Sequence, residues 1–199
     1  VMVNDEDSFK FSKMLSPKKY VISAASFLED ELVEQIVKEN SDVILRSGGA
    51  TIEELDLMLD KLNRLDHRFR ACVLMGIQLY PTPINQLNLS SMKTLRDRYK
   101  SKNVSFGLAD HIDGDHPYAI HLPPISLAYG ATVIEKHITT NREEKLEDYE
   151  AALDIEQFKL FVDFIKNTEA AIGENNLNYM EDNESYKKYR LVGRKKIVA

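Results

Sequence analysis

The segment Gly130-Ala-Thr-Val-Ile-Glu-Lys-His-Ile-Thr-Thr140 joins a turn residue, a short apolar strand and a charged strand end. Residues 131–134 are apolar and partly β-branched, which favours a strand covered on both faces, as in a parallel α/β sheet. Glu135, Lys136 and His137 follow where the chain should leave the sheet. The carboxyl ends of the strands carry the chemistry in α/β barrels, so these polar residues are candidates for function. A solvent-exposed charged strand end is the structural alternative.

The rest of the chain alternates short apolar strands with amphipathic helices, a rhythm that predicts right-handed βαβ units and a parallel sheet. Thr51, and Asp154 with Gln157, have the residue types that cap helix starts. Pro123 and Pro124 predict a break or a late start in the helix before Gly130. The predicted strands are 20–25, 43–45, 71–76, 104–108 and 131–134, with residues 1–4 as the end of a further strand before them. The predicted helices are 28–38, 51 onwards, 88 or 90 to 100, 117–129 and 155–172.

Composition excludes several classes of protein. The net charge is -6 with acids and bases interspersed, so no basic surface for nucleic acid is predicted. The single cysteine, Cys72, excludes an intramolecular disulfide and fits a reducing compartment. No long apolar run and no secretory signal pattern is present, so we expect a cytoplasmic protein without a membrane partner.

Several ordered motifs together resemble the sialic acid synthase family. They are Tyr80-Pro81-Thr82-Pro83 with Asn88-Leu89 and Met92, Ala109-Asp110-His111 with Gly114, Ala128-Tyr129-Gly130-Ala131, Glu135-Lys136-His137, and the terminal residues 194–199. The resemblance implies a (β/α)8 TIM-type barrel. It also implies a reaction in which phosphoenolpyruvate condenses with an N-acyl hexosamine, or its 6-phosphate, to give a nonulosonic acid.

The resemblance assigns roles to particular residues. His111 and His137 match two family histidines that hold a divalent metal, usually Mn²⁺, and imidazole ligands suit such an ion. Tyr80 matches a tyrosine that helps to bind the amino sugar, and Gln78 stands at the polar position two residues before it. Asp148 matches an aspartate near the substrate and is the candidate catalytic residue.

The positions that the family uses for phosphoenolpyruvate differ in this chain. The lysine, serine and glutamate of one family strand align with Val21, Ala24 and Ser26. Arg46 stands where the family has the serine of a Ser-Thr-Gly motif, and it is a candidate to supply substrate-binding charge instead. Each charge-assisted hydrogen bond lost from a dianion site costs roughly 1.5–3 kcal/mol.

The sequence therefore leaves two main functions open. The chain is a synthase, and so a transferase, or it is a non-catalytic relative that keeps the fold for binding or assembly. Another metal-dependent aldolase barrel is a third option.

The predicted organisation is a partial barrel over residues 1–173, corresponding to about strands three to eight, and a polar tail over 174–199 that leads to a domain not present. Because 199 residues is short for a barrel of roughly 250 residues, we expect a homodimer or association with the remainder of a longer chain.

Overall fold

Six parallel strands form one sheet whose spatial order follows the order of the chain. The structure, a computed structural model, describes residues 1–40, 42–100, 102–174 and 183–184. The strands are β1 Met2–Val3, β2 Tyr20–Ile22, β3 Asp42–Arg46, β4 Arg70–Met75, β5 Val104–Asp110 and β6 Ala131–Lys136. An all-parallel sheet in sequential order is the architecture of part of a (β/α)8 barrel, so the predicted fold class is confirmed.

Helices connect the strands. They are α1 Glu6–Lys13, α2 Asp30–Glu39, α3 Ile52–Leu65, α4 Ser91–Tyr99 and, after the last strand, α5 Ile155–Ile172. Short 3-10 turns span Ile84–Gln86, Pro123–Tyr129, Arg142–Glu144 and Tyr149–Ala151. Among the described residues no helix is long and apolar enough to cross a bilayer.

Most predicted elements are confirmed, with two differences. The sequence pattern does not predict α1, whose buried residues are only Phe9 and Ser12 and so give little periodicity. The predicted helix 117–129 begins late, at Pro123, as its two prolines predict, but the segment Pro123–Tyr129 is a 3-10 helix and not an α-helix. The predicted tail lies outside the described residues except for 174, 183 and 184.

The main core lies between the sheet and the helices. Fully buried apolar side chains of α2 and α3, such as Val33, Ile36, Leu59 and Leu62, pack in one cluster with strand residues such as Val43. Alternate residues on the strands face the other side of the sheet, where Leu74, Ala109 and Cys72 form a smaller cluster. Side chains on that second side lead directly to the carboxyl ends of the strands.

One extra residue interrupts the pairing of β5 with β6. Phe106 pairs with Ala131, but Gly107 pairs with Val133, so Thr132 is bulged out of the ladder. A side chain at Gly107 would overlap the carbonyl oxygen of Val133. Beyond the bulge the pairing is regular and brings Asp110 opposite Lys136.

The start of α3 gives a test of local stability. The Thr51 hydroxyl accepts a hydrogen bond from the Glu54 amide, and the Glu54 carboxylate accepts one from the Thr51 amide. We expect Thr51→Ala to lower the free energy of unfolding by about 1 kcal/mol in urea denaturation. Ser90→Ala is the matched control, because Ser90 at the start of α4 makes no capping hydrogen bond with its side chain. Equal losses in both variants would contradict a capping role for Thr51.

Candidate functional site

A cluster of polar and aromatic side chains lies at the carboxyl ends of β3 to β6, which we call the rim. It comprises Arg46, Gln78, Tyr80, His111, Glu135, His137 and Asp148. In a parallel sheet the carboxyl ends of the strands lie at one edge, so residues distant in sequence meet there. Arg46 is the last residue of β3, and His111 and His137 directly follow β5 and β6.

The two histidines lie together, with ring centroids 5.3 Å apart. The side chain of His111 is buried, and its Nδ1 lies 2.8 Å from the carbonyl oxygen of Ile77. Because a carbonyl oxygen only accepts, Nδ1 carries the proton and Nε2 presents its lone pair. Burial lowers the pKa of His111 to about 4, which keeps the ring neutral near pH 7.

The environment of His137 resembles that of its neighbour but is more open. Burial lowers the pKa of His137, while the carboxylates of Asp148 and Glu135 act in the opposite direction. The Oδ2 atom of Asp148 lies 3.8 Å from Nδ1 of His137. The two groups form an ion pair only when the imidazole is protonated. Asp148 is thus at the rim, and it has a left-handed backbone conformation with φ of 58°.

Tyr80 covers both imidazoles. Its ring centroid lies 4.3 Å from that of His111 and 5.6 Å from that of His137. The Tyr80 hydroxyl donates to Oε1 of Gln78 at 2.7 Å, so the two predicted sugar-binding residues orient one another. Tyr80 precedes Pro81 through a cis peptide bond, and the amide of Thr82 donates to the His111 carbonyl oxygen. The loop after β4 is therefore attached to the end of β5.

Arg46 projects into the centre of the rim. One terminal nitrogen, Nη2, lies 3.1 Å from Nε2 of His111 and 3.2 Å from Oε1 of Glu135. The other, Nη1, lies 3.6 Å from Sδ of Met2. The residue is only 8% exposed, and its buried Nε has no hydrogen-bond partner in the part of the chain that the structure describes. The guanidinium thus lies between the His111 imidazole and the Glu135 carboxylate.

The sequence made Glu135 a general candidate for function but assigned it no individual role. Glu135 pairs with Arg46, and it points to the same side of β6 as His137 because strand side chains alternate with a period of two. This alternation could have predicted from the sequence that Glu135 lies near His137.

The residues present do not fit a divalent metal while Arg46 holds this position. No group of three or more His, Cys, Asp or Glu side chains in the described part of the chain is arranged to hold a metal. The lone pair of His111 is directed at a guanidinium, and Glu135 is already paired with it. Like charges 4 Å apart repel by about 4 kcal/mol per pair of unit charges near a protein surface, and a divalent ion doubles that cost.

Asp110 and Lys136 form a buried ion pair directly below the rim. Nζ of Lys136 lies 2.8 Å from Oδ2 of Asp110 and 2.8 Å from the carbonyl oxygen of Ile112. Neither side chain is exposed. Burial raises the pKa of Asp110 and lowers that of Lys136, and the attraction between the two groups opposes both changes. The pair joins β5 to β6 beside the histidines.

The strand that the resemblance associates with phosphoenolpyruvate carries no charged group. Val21 lies in β2, and Ala24 follows that strand. The Ser26 hydroxyl donates to the carbonyl oxygen of Asn4 at 2.5 Å and receives a contact from the Ser23 hydroxyl. The Ser26 hydroxyl is therefore engaged with the local backbone.

Comparison with known proteins identifies the family. The family model described as "NeuB family" matches residues 3–177. A pseudaminic acid synthase of Campylobacter jejuni is 31% identical over 180 residues, which cover 88% of this chain and 49% of that protein. An N,N'-diacetyllegionaminic acid synthase of the same species is 28% identical over 171 residues, covering 85% of this chain and 49% of that protein. The chain thus spans about half the length of these relatives.

A solved structure supports the fold independently. The sialic acid synthetase of Leptospira borgpetersenii, determined in complex with citrate, superposes with a TM-score of 0.80 at 22% identity. The match covers 98% of this chain and 65% of that one. The family model, the level of identity and the shared fold agree, and the chain belongs to the NeuB family, the sialic acid synthase family that its motifs resemble.

Proposed function

We propose that the rim belongs to an active site of the nonulosonic acid synthase type, in which phosphoenolpyruvate condenses with an N-acyl amino sugar. This chain supplies the side of the site that binds the sugar. The observation that carries the proposal is the convergence of Tyr80, His111 and His137 within 5.6 Å between ring centroids, in a chain of the NeuB family.

The roles proposed for individual residues follow from their contacts. The Tyr80 hydroxyl and the Gln78 amide form a hydrogen-bonded pair that can donate to, and accept from, the hydroxyl and acyl groups of a sugar. Asp148 lies at the open side of His137 and is the candidate to accept a proton. A divalent metal, which His111 and His137 were predicted to hold, would polarise the sugar aldehyde when bound. Because Arg46 occupies that space, no step of the reaction is assigned to a metal here.

A non-catalytic sugar-binding role is the second candidate. One observation favours it, namely that the family's phosphoenolpyruvate positions hold Val21, Ala24 and a Ser26 committed to the backbone. Binding of a dianion depends on charge-assisted hydrogen bonds that these side chains do not supply. The sugar-binding side is common to both candidates, and only turnover separates them.

The test of sugar binding uses a single hydroxyl. We expect the full chain to bind an N-acetylhexosamine in calorimetric titration, with N-acetylmannosamine and N-acetylglucosamine as probes. Tyr80→Phe removes one hydrogen-bonding group and is expected to raise the dissociation constant about threefold to tenfold. Tyr118→Phe is the matched control, because that tyrosine is exposed and its ring lies against His116. An unchanged dissociation constant in Tyr80→Phe would contradict the proposed sugar site.

Turnover is measured separately, as inorganic phosphate released from phosphoenolpyruvate. Release that requires the amino sugar supports the synthase. Sugar binding that depends on Tyr80 without phosphate release supports the non-catalytic role. The cytoplasmic location and the assembly as a homodimer, or with the remainder of a longer chain, stay predictions, and light scattering of the purified chain tests the homodimer.

A further inference from the structure

We infer that Arg46 is the resident cation of the rim, and that its guanidinium replaces a divalent metal at His111 and His137. With Arg46 in place, His111 and His137 therefore do not bind a divalent ion. The inference concerns the cation of the site, and it is independent of whether the rim turns over a substrate.

Both ring nitrogens of His111 have a partner within hydrogen-bond distance. Its Nδ1 donates to the carbonyl oxygen of Ile77 at 2.8 Å, so the lone pair available to any cation is the one on Nε2. That nitrogen lies 3.1 Å from Nη2 of Arg46, which carries protons and donates. The only coordination direction of the buried histidine thus ends at a guanidinium.

The charge of Arg46 also opposes a second cation at the rim. Glu135 is the carboxylate on the same side of β6 as His137, and it pairs with Arg46 at 3.2 Å. Below the rim, Asp110 is already paired with Lys136. A divalent ion beside Nη2 would be repelled by the guanidinium, and Glu135 alone would have to neutralise both cations. Glu135 and Asp110 are thus already paired, and Asp148, the other carboxylate at the rim, lies 3.8 Å from Nδ1 of His137.

Burial and contacts on several sides hold Arg46 in this position. The residue ends β3, is 8% exposed, and places Nη1 against Sδ of Met2 in β1. A side chain held from several sides does not leave the site without breaking its contacts with His111 and Glu135. A serine, the residue that the resemblance implies at this position, would leave the space beside Nε2 of His111 open.

The experiment measures Mn²⁺ binding alone, by calorimetry and by the electron paramagnetic resonance of free Mn²⁺, in the untagged full chain. We expect the chain to show no binding at His111 and His137. Arg46→Ser removes both the charge and the bulk, and it is expected to bind Mn²⁺ at least about tenfold more tightly than the starting chain. Arg46→Lys keeps the charge and should not bind. Arg46→Ser combined with His111→Ala should lose the binding that Arg46→Ser gained.

Two results would overturn the inference. One is Mn²⁺ binding by the unaltered chain that His111→Ala abolishes, and the other is a folded Arg46→Ser variant that gains no binding. Should Arg46→Ser fail to fold, the imidazole nitrogen signals of the unaltered chain decide in nuclear magnetic resonance. Signals of His111 and His137 that remain sharp on addition of Mn²⁺ support the inference, and selective broadening of both overturns it.

Discussion

Lys136→Met is expected to destabilise the protein by about 3–5 kcal/mol, because it leaves the buried carboxylate of Asp110 without its cation. Lys136 is the closest partner of that carboxylate, at 2.8 Å, and neither side chain is exposed. The same substitution also removes the hydrogen bond from Nζ to the Ile112 carbonyl oxygen. The measurement is the free energy of unfolding from urea denaturation at pH 7.

The matched control is Lys102→Met. Nζ of Lys102 lies 2.6 Å from Oδ1 of Asp60, but these side chains are 32% and 59% exposed. Water can solvate Asp60 after the substitution, so the expected loss is below about 1 kcal/mol. Comparable losses in both variants would show that burial of Asp110 does not determine the cost.

Two further variants test the reason for the loss. Asp110→Asn combined with Lys136→Met removes both charges and is expected to recover part of the stability, since no unpaired charge remains buried. In Lys136→Met alone the loss should shrink as the pH falls. The folded state then holds Asp110 with a pKa that burial raises, so protonation favours the folded state at low pH. A loss that grows on acidification would contradict this assignment.

Gly107→Ala is expected to cost about 1–3 kcal/mol, although an alanine is chemically mild. A Cβ at this position in β5 would overlap the Val133 carbonyl oxygen and would lie 2.5 Å from Cδ2 of Leu74. The obstacle includes backbone of the neighbouring strand, which cannot move without breaking the ladder between β5 and β6. Unfolding by urea and by heat gives the measurement.

Gly48→Ala is the matched control for Gly107→Ala. A Cβ at Gly48 would meet the side chain of Gln78, which is long and exposed and can turn aside. The expected change in unfolding free energy is therefore smaller than for Gly107. Equal effects would show that the close approach of β6 does not restrict position 107.

The sequence predicted those parts of the fold that depend on local pattern. The apolar runs at 71–76 and 104–108 lie in β4 and β5, and the caps at Thr51 and Asp154 begin α3 and α5. The position of His111 and His137 at strand ends, together with the family motifs, predicted that they lie close together. Their ring centroids are 5.3 Å apart. Their role as metal ligands stays a prediction that the Mn²⁺ titration tests.

The remaining features depend on tertiary contacts that no local pattern encodes. Arg46 meets His111 and Glu135, which are far away in sequence, so the direction of its long side chain follows only from the assembled sheet. A lysine and an aspartate at strand ends suggest solvent exposure, yet Lys136 and Asp110 are fully enclosed. Lys136 also donates to the carbonyl oxygen of Ile112, a contact across two strand ends that the local sequence does not reveal.

The bulge at Thr132 divides the pairing of β6 with β5 into one pair at Ala131 and four pairs over residues 133–136. On one side of it Ala131 keeps step with Phe106, and on the other Val133 keeps step with Gly107. A change of one residue at this point would be absorbed locally, before the alignment of Lys136 with Asp110 begins. The four residue pairs beyond the bulge, and not the pairing at Ala131, therefore fix the height at which Lys136 meets Asp110.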